Sequence, residues 1–340
     1  MHAIPHHTTS RSPWQAELGQ AYARLSDLLA AIGLSAEACG VSSEAAAAFP
    51  LRVPRGFVAR MRYGDPGDPL LQQVLPVTAE NLNMPGYGAD PVGDLASIRA
   101  PGLLQKYAGR ALLITTGACA VHCRYCFRRA FPYSEHSATP GVLAAAHAAI
   151  AADDSLHEII LSGGDPLILG NARLAELLQP LARIPHITRI RLHTRVPVVL
   201  PERIDAGLLD LLRNAGRPVV TVIHANHANE IDASVLSALQ KLGSVSAALL
   251  NQSVLLRGVN DSSAALTELS EKLFSARVLP YYLHQLDHVA GAAHFLVPDQ
   301  EAQALVKAMA ATLPGYLVPR LVREIAGAAA KTPLEYFGAT

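Results

Sequence analysis

The sequence predicts an α/β fold: a parallel sheet preceded by a helical, loop-rich extension. Three observations carry this. Six short apolar runs follow one another, at 111–116, 158–163, 189–194, 218–224, 247–256 and 277–285. Helical patterns lie between most of them, for example over 172–184 and 232–243, and successive runs are mostly about thirty residues apart, the length of one strand–helix–strand unit. Polar residues gather where the runs end: Ser162 and Asp165, His193 and Arg195, His224, Asn251 and Gln252, His284 and Asp287. Six units are too few for a closed eightfold barrel, so a partial (β/α)6 barrel and an open doubly wound sheet both fit. In a barrel the carboxyl ends of the strands form one catalytic face.

Composition narrows the function. The chain has 340 residues, with 28 basic and 28 acidic side chains, so its formal net charge is zero. That balance opposes nucleic-acid binding, which needs clustered positive charge. Half of the residues are hydrophobic, 16% are charged, and mean hydropathy is +0.23, which excludes disorder as the main state. Apolar stretches such as Val142 to Ala152 are broken by His147 or flanked by Asp153 and Asp154, well short of the roughly 20 residues a membrane helix needs. The amino terminus, MHAIPHHTTSRSPW, has no apolar core of a secretory signal, and a cytoplasmic location is expected.

Taken in order, residues 1–100 form the extension, 101–315 the barrel and 316–340 a carboxyl-terminal segment. Trp14, Leu18, Tyr22, Leu25 and Leu29 recur at helical spacing, with Gly33 as a stop. Ser43 caps a second short helix before Pro50, and MRYGDPGDP is loop punctuation. The first apolar run leads into Cys119, Cys123 and Cys126, three of the four cysteines in the chain, while Cys39 stands far away. C-x3-C-x2-C puts three soft ligands on one loop, suited to an iron–sulfur cluster or zinc. A [4Fe–4S] cube takes four ligands, so three leave one iron open to a small molecule. A zinc site completed by His122, His136 or Cys39, or a trio of buried free thiols, is the alternative.

With this loop behind the first strand, the chain resembles the radical S-adenosylmethionine (SAM) enzymes. Within them it resembles the lysine 2,3-aminomutases, and most of all the short homologues that serve β-lysylation of elongation factor P. The similarity runs over roughly residues 45 to 335 through FPLRVPRGFVARM (49–61), LSGGDPL (161–167), HTRVPVVLPERI (193–204), HANHANEI (224–231), NQSVLLRGVND (251–261), LPYYLHQLD (279–287) and AGAAAKTP (326–333). It implies a partial (β/α)6 radical-SAM barrel. Three cofactors are also implied: a [4Fe–4S] cluster on Cys119, Cys123 and Cys126, SAM, and pyridoxal 5′-phosphate (PLP) held by Lys331 as an aldimine.

By the same resemblance Ser162, Gly163, Gly164, Asp165, His224 and Gln252 adjoin SAM, and Lys106, Tyr107 and Arg110, just before the first strand, take the PLP phosphate. Arg128 clamps the substrate carboxylate, with Arg129 beside it a surface residue. Asp287 and Glu324 receive the ε-ammonium, Glu standing where the family has a second Asp. His284 replaces a tyrosine near the PLP ring. Ser262 stands where longer members place a zinc-binding cysteine, so that zinc site is expected to be absent. The implied reaction moves the amino group of L-lysine from C2 to C3, giving β-lysine of R configuration, with electrons from an external donor. The implied partners are an elongation factor P ligase and elongation factor P itself. The alternatives are an aminomutase for another amino acid such as glutamate, whose carboxylate tail would face like charge, or a non-catalytic iron–sulfur or zinc protein.

Overall fold

The computed structural model describes residues 12–136 and 138–335. Residues 1–11, most of the stretch read as lacking a signal, lie outside the described residues. Ten strands form one sheet in chain order: β1 (Ile98–Ala100), β2 (Leu103–Tyr107), β3 (Arg110–Thr116), β4 (Glu158–Gly163), β5 (Arg189–Thr194), β6 (Val219–Ile223), β7 (Ala248–Val254), β8 (Leu279–His284), β9 (Arg320–Arg323) and β10 (Thr332–Pro333). β3 to β9 are parallel, while β1, β2 and β10 pair antiparallel at the two ends. The first and last strands do not meet, so the sheet is an open, partial barrel.

The six predicted runs are β3 to β8, and helices at Pro140–Ala152, Asn171–Arg183, Ala206–Arg213, Ala233–Gly243, Ser263–Ser275 and Asp299–Ala310 carry the chain from each strand to the next. Four of these helices begin on a side chain that accepts a hydrogen bond from a first-turn N–H: Thr139, Asp205, Asp232 and Ser262. Ser262 is thereby a helix cap.

Three expectations are corrected. The stripe from Trp14 to Leu29 is broken into the helices Pro13–Gly19 and Leu25–Ala31, because Tyr22 between them exchanges backbone hydrogen bonds of 2.8 and 3.0 Å with Val53. The cap of Ser43–Ala48 is Ser42, whose Oγ accepts from Ala45 N at 3.0 Å. Lys106 and Tyr107 do not precede the sheet: they end β2, and Arg110 opens β3.

One buried cluster runs through both extension and barrel, from Trp14, Phe57 and Leu70 to Leu113, Ile159, Leu192, Ile223 and Leu239. The carboxyl-terminal segment adds β9 as a seventh parallel strand.

Candidate active site

Along β5, β7 and β8 the inward residues are mostly polar: Arg191 and His193, Gln252 with Val254, and Tyr281, Tyr282 and His284. They line a cavity of about 330 Å3. The three loop cysteines form one wall of it; Asp287, Glu324 and Lys331 line it as well. Every residue given a role from the resemblance borders this one space.

The cysteine loop is held from two sides. Beneath it, Gly163 adopts φ +110°, and Gly164 N donates to Thr116 O at 2.6 Å. A Cβ on Gly164 would stand 2.2 Å from Ala118 O. The paired glycines therefore make room for the cysteine loop itself, while both also border the cavity. From outside, the extension grips the loop: His122 N donates to Arg52 O at 3.0 Å and Arg124 N to Gln73 O at 2.9 Å. The Arg124 side chain is fully buried and meets both Glu80 oxygens at 2.8 and 2.6 Å. Arg129 points to the same carboxylate at 2.9 Å, so it is a part-buried anchor and not a free surface residue.

All three loop thiols are free and partly buried. Burial, reinforced by the neighbouring thiols, pushes Cys119 well above the ordinary range, and Cys126 up to about 11. Three thiolates so close together are stable only around a positively charged metal group, which suits a cluster. The zinc alternative loses its fourth ligand. His122 Nδ1 is 2.7 Å from Pro50 O, Cys39 packs on the apolar core, His136 lies against Phe131, and none of the three borders the cavity. Among the described residues no three His, Cys, Asp or Glu side chains converge as a single-ion site.

Behind Cys123 lies a buried polar network that the sequence did not reveal. Arg195 donates to Cys123 Sγ at 2.6 Å, to Tyr125 Oη at 2.5 Å, to Gln73 Oε1 at 2.6 Å and to Glu230 Oε2 at 3.1 Å. Tyr125 Oη also lies 2.9 Å from His224 Nε2. Burial, then the Arg195 charge, lowers His224 to about 3, so it is neutral. Asp165 serves the frame: Oδ1 accepts from Thr194 and Leu167 N, Oδ2 from Arg195 N and Val196 N.

The acidic part of the cavity wall is built by β-pairing. Thr332 lies opposite Arg323, so the preceding Lys331 meets the following Glu324, and their side chains form an ion pair. Lys106 Nζ bridges Glu324 at 3.2 Å and Asp94 at 2.7 Å, and Asp94 in turn accepts from Arg128 Nε at 2.6 Å. Asp94, buried and unnoticed in the sequence, thus orients Arg128. Burial would raise Glu324, but Lys331 and Lys106 outweigh it and hold the carboxyl at about 2. Asp287 has no such partner among the described residues, and burial, with Glu324 nearby, pushes it up to about 7. Arg110 stacks on Tyr107 at 4.5 Å and has no carboxylate partner among the described residues, which leaves its charge for an anion such as a phosphate. His193 and His284, between these groups, are held neutral by burial.

A profile of the radical SAM superfamily matches residues 113–264. The chain is 45% identical over 335 residues to "L-lysine 2,3-aminomutase" of Escherichia coli (strain K12), covering 98% of each chain. It is 46% identical over 305 residues to the protein of that name from Haemophilus influenzae, covering 90% of each. Against the one from Clostridium subterminale, identity is 35% over 279 residues, 82% of this chain and 67% of that one.

Proposed function

This chain belongs to the L-lysine 2,3-aminomutases of the radical SAM superfamily, and on that premise we propose that it converts L-lysine to (R)-β-lysine for β-lysylation of elongation factor P. It is an isomerase, and its family implies a [4Fe–4S] cluster, SAM and an electron donor. PLP on Lys331, the R configuration, a cytoplasmic location, and an elongation factor P ligase that consumes the product are parts of the proposal. No helix among the described residues is long and apolar enough to cross a membrane. The observation that carries the reading is the shared cavity, which joins the cysteine trio to Lys331 and its acidic neighbours.

When bound, the cluster and SAM supply a hydrogen-abstracting radical, and PLP carries the migrating nitrogen. The chain supplies position and charge. Cys119, Cys123 and Cys126 hold the cluster, while Ser162, Gly163, Gly164, His224 and Gln252 border the SAM side, and Asp165 keeps that border in shape. Arg128, steadied by Asp94, presents its remaining N–H groups to the α-carboxylate. Arg110 and Tyr107 form the end proposed for the PLP phosphate; Lys106, expected there too, borders the same space but spends its ammonium on Asp94, Glu324 and the Val92 carbonyl. Glu324, which meets Lys331 and Lys106, and Asp287, which has no cation partner among the described residues, are the carboxylates that would receive the ε-ammonium. A carboxylate-ended substrate would meet like charge there, which favours lysine over glutamate.

The test is anaerobic incubation of the reconstituted protein with SAM, PLP, a reductant and L-lysine or L-glutamate, followed by chiral product separation. (R)-β-lysine from lysine and no β-amino acid from glutamate is the expected result. Turnover of glutamate, or SAM cleavage with no β-lysine, sinks the substrate reading. Adding the ligase and elongation factor P should then transfer the product to a lysine of the factor.

A further inference from the structure

We infer that Arg195 is a positioning and redox-tuning residue: its guanidinium, hydrogen-bonded to Cys123 Sγ and counterbalanced by Glu230, sets the reduction potential of the cluster bound at the cysteine loop. The inference rests on the reading that Cys119, Cys123 and Cys126 carry a [4Fe–4S] cluster.

The geometry is specific. One terminal nitrogen of Arg195 donates both to Cys123 Sγ at 2.6 Å and to Tyr125 Oη at 2.5 Å; the other reaches Gln73 Oε1 at 2.6 Å and Glu230 Oε2 at 3.1 Å. The guanidinium is therefore closer to the thiolate than to its carboxylate, and Arg195 and Glu230 are both buried. Glu230 is itself fixed: its Oε1 accepts from Gln73 Nε2, Asn226 N and His227 N. A charge on a rigid, water-excluded frame is felt strongly by its neighbours. Tyr125, between the last two cysteines, continues the network to His224 on the far side. The ordering β5–Arg195–Cys123 explains why a buried cation stands at the end of a strand otherwise occupied with the cavity.

The sign follows from charge. One-electron reduction adds negative charge to the cluster, and a hydrogen-bond donor or cation at a ligating sulfur stabilises that form, raising the potential. Glu230 acts oppositely. Together they hold the cluster reducing enough to cleave SAM and yet reducible by the electron donor.

The experiment is an anaerobic redox titration followed by the electron paramagnetic resonance signal of the reduced cluster, on reconstituted wild type, Arg195→Met, Arg195→Lys and Glu230→Gln, with iron content measured in each. Arg195→Met should lower the midpoint so that the oxidised-to-reduced ratio at a fixed potential rises about tenfold, which is about 59 mV for a one-electron couple. Arg195→Lys should shift it less, and Glu230→Gln should raise it. Opposite signs for the two charge removals distinguish tuning from loosening, which would move both alike. If Arg195→Met takes up no iron, Glu230→Gln decides: a raised midpoint supports the inference, an unmoved or lowered one overturns it. An unmoved midpoint in iron-replete Arg195→Met overturns it as well. A wild type with four irons but no shift in any variant fails this inference alone, whereas a wild type with no such cluster signal fails the reading beneath it too.

Discussion

Asp287 stands among charged side chains with no hydrogen-bonded cation among the described residues, and burial keeps its carboxyl near 7. The folded protein therefore binds that proton more tightly than the unfolded chain, whose aspartate titrates near its ordinary 3.8. Stability should then fall as pH rises from about 4 to 7. Glu324 behaves oppositely: held at about 2 against an ordinary 4.5, its contribution is complete above that range and adds no slope between pH 5 and 7. Asp287→Asn removes the buried charge and keeps the shape. Without ligands it should melt at least about 2 °C above wild type at pH 8, the gap closing as pH falls to about 4, as seen in melting curves across pH. Turnover should move the other way. Removing one partner of a buried charge pair costs on the order of 3–5 kcal/mol, or about a hundred- to a few-thousandfold in kcat/KM for lysine. A variant that melts lower at both pH values and turns over normally marks Asp287 as structural. Lys331 carries a separate prediction. Borohydride reduction after PLP loading should leave the label on the peptide containing Lys331, whose neighbours Glu324 and Tyr282 border the cavity. Label on the exposed helix residues Lys241 or Lys272 would refute the assignment.

The cysteine loop shows how elements are held against one another. Glu80 is almost fully buried and pairs with both Arg124 and Arg129, so Glu80→Gln leaves two cations with no carboxylate beside them. A loss of about 3–5 kcal/mol is expected, read as a lower melting temperature with less iron retained per chain. Gly164→Ala should lose iron by another route, because its Cβ cannot occupy a point 2.2 Å from Ala118 O. Cys39→Ala, whose thiol packs on the apolar core, should keep its iron; loss there would mean a fourth ligand. The sequence made β3 to β8 legible because each is a short apolar run and helices, four of them with polar side-chain caps, separate one run from the next. It hid β9 and β10, which are four and two residues long and owe their pairing to the sheet. The site divides in the same way. The three cysteines, Arg128, Asp287, Glu324 and Lys331 were readable from motif resemblance, and all border the cavity. Asp94, Gln73 and the Arg195 network were not, because their partners are remote in sequence: Gln73 meets Glu230 across 157 positions. Nothing local in the chain announces such a contact.

At the scale of the whole molecule, the extension is built into the barrel. Trp14 and Leu18 share the buried cluster that holds Leu113, Ile159 and Leu192 of the sheet. Trp14 is 4% exposed, and the guanidinium of Arg203, itself fully buried, lies 4.7 Å from the centre of its ring. Arg203 in turn donates to the backbone oxygens of Leu167 and Leu169, just beyond β4. Removing the extension would thus expose Arg203, the outer face of the barrel and the back of the cysteine loop together. A core shared in this way predicts that extension and barrel unfold as one unit. Trp14 is the sole tryptophan in the chain, so its fluorescence reports the extension with no engineered label. Far-ultraviolet circular dichroism reports mainly the barrel, where the longer helices and the parallel strands lie. In cluster-free protein the two signals should give the same midpoint and the same steepness on denaturant titration, because both follow loss of the same core. Arg203→Met should move both midpoints together, keeping the volume over Trp14 while removing the cation and its hydrogen bonds to the chain after β4. A tryptophan transition at lower denaturant than the circular dichroism transition would refute this unity, and would make the extension a separately folding clamp on the cysteine loop.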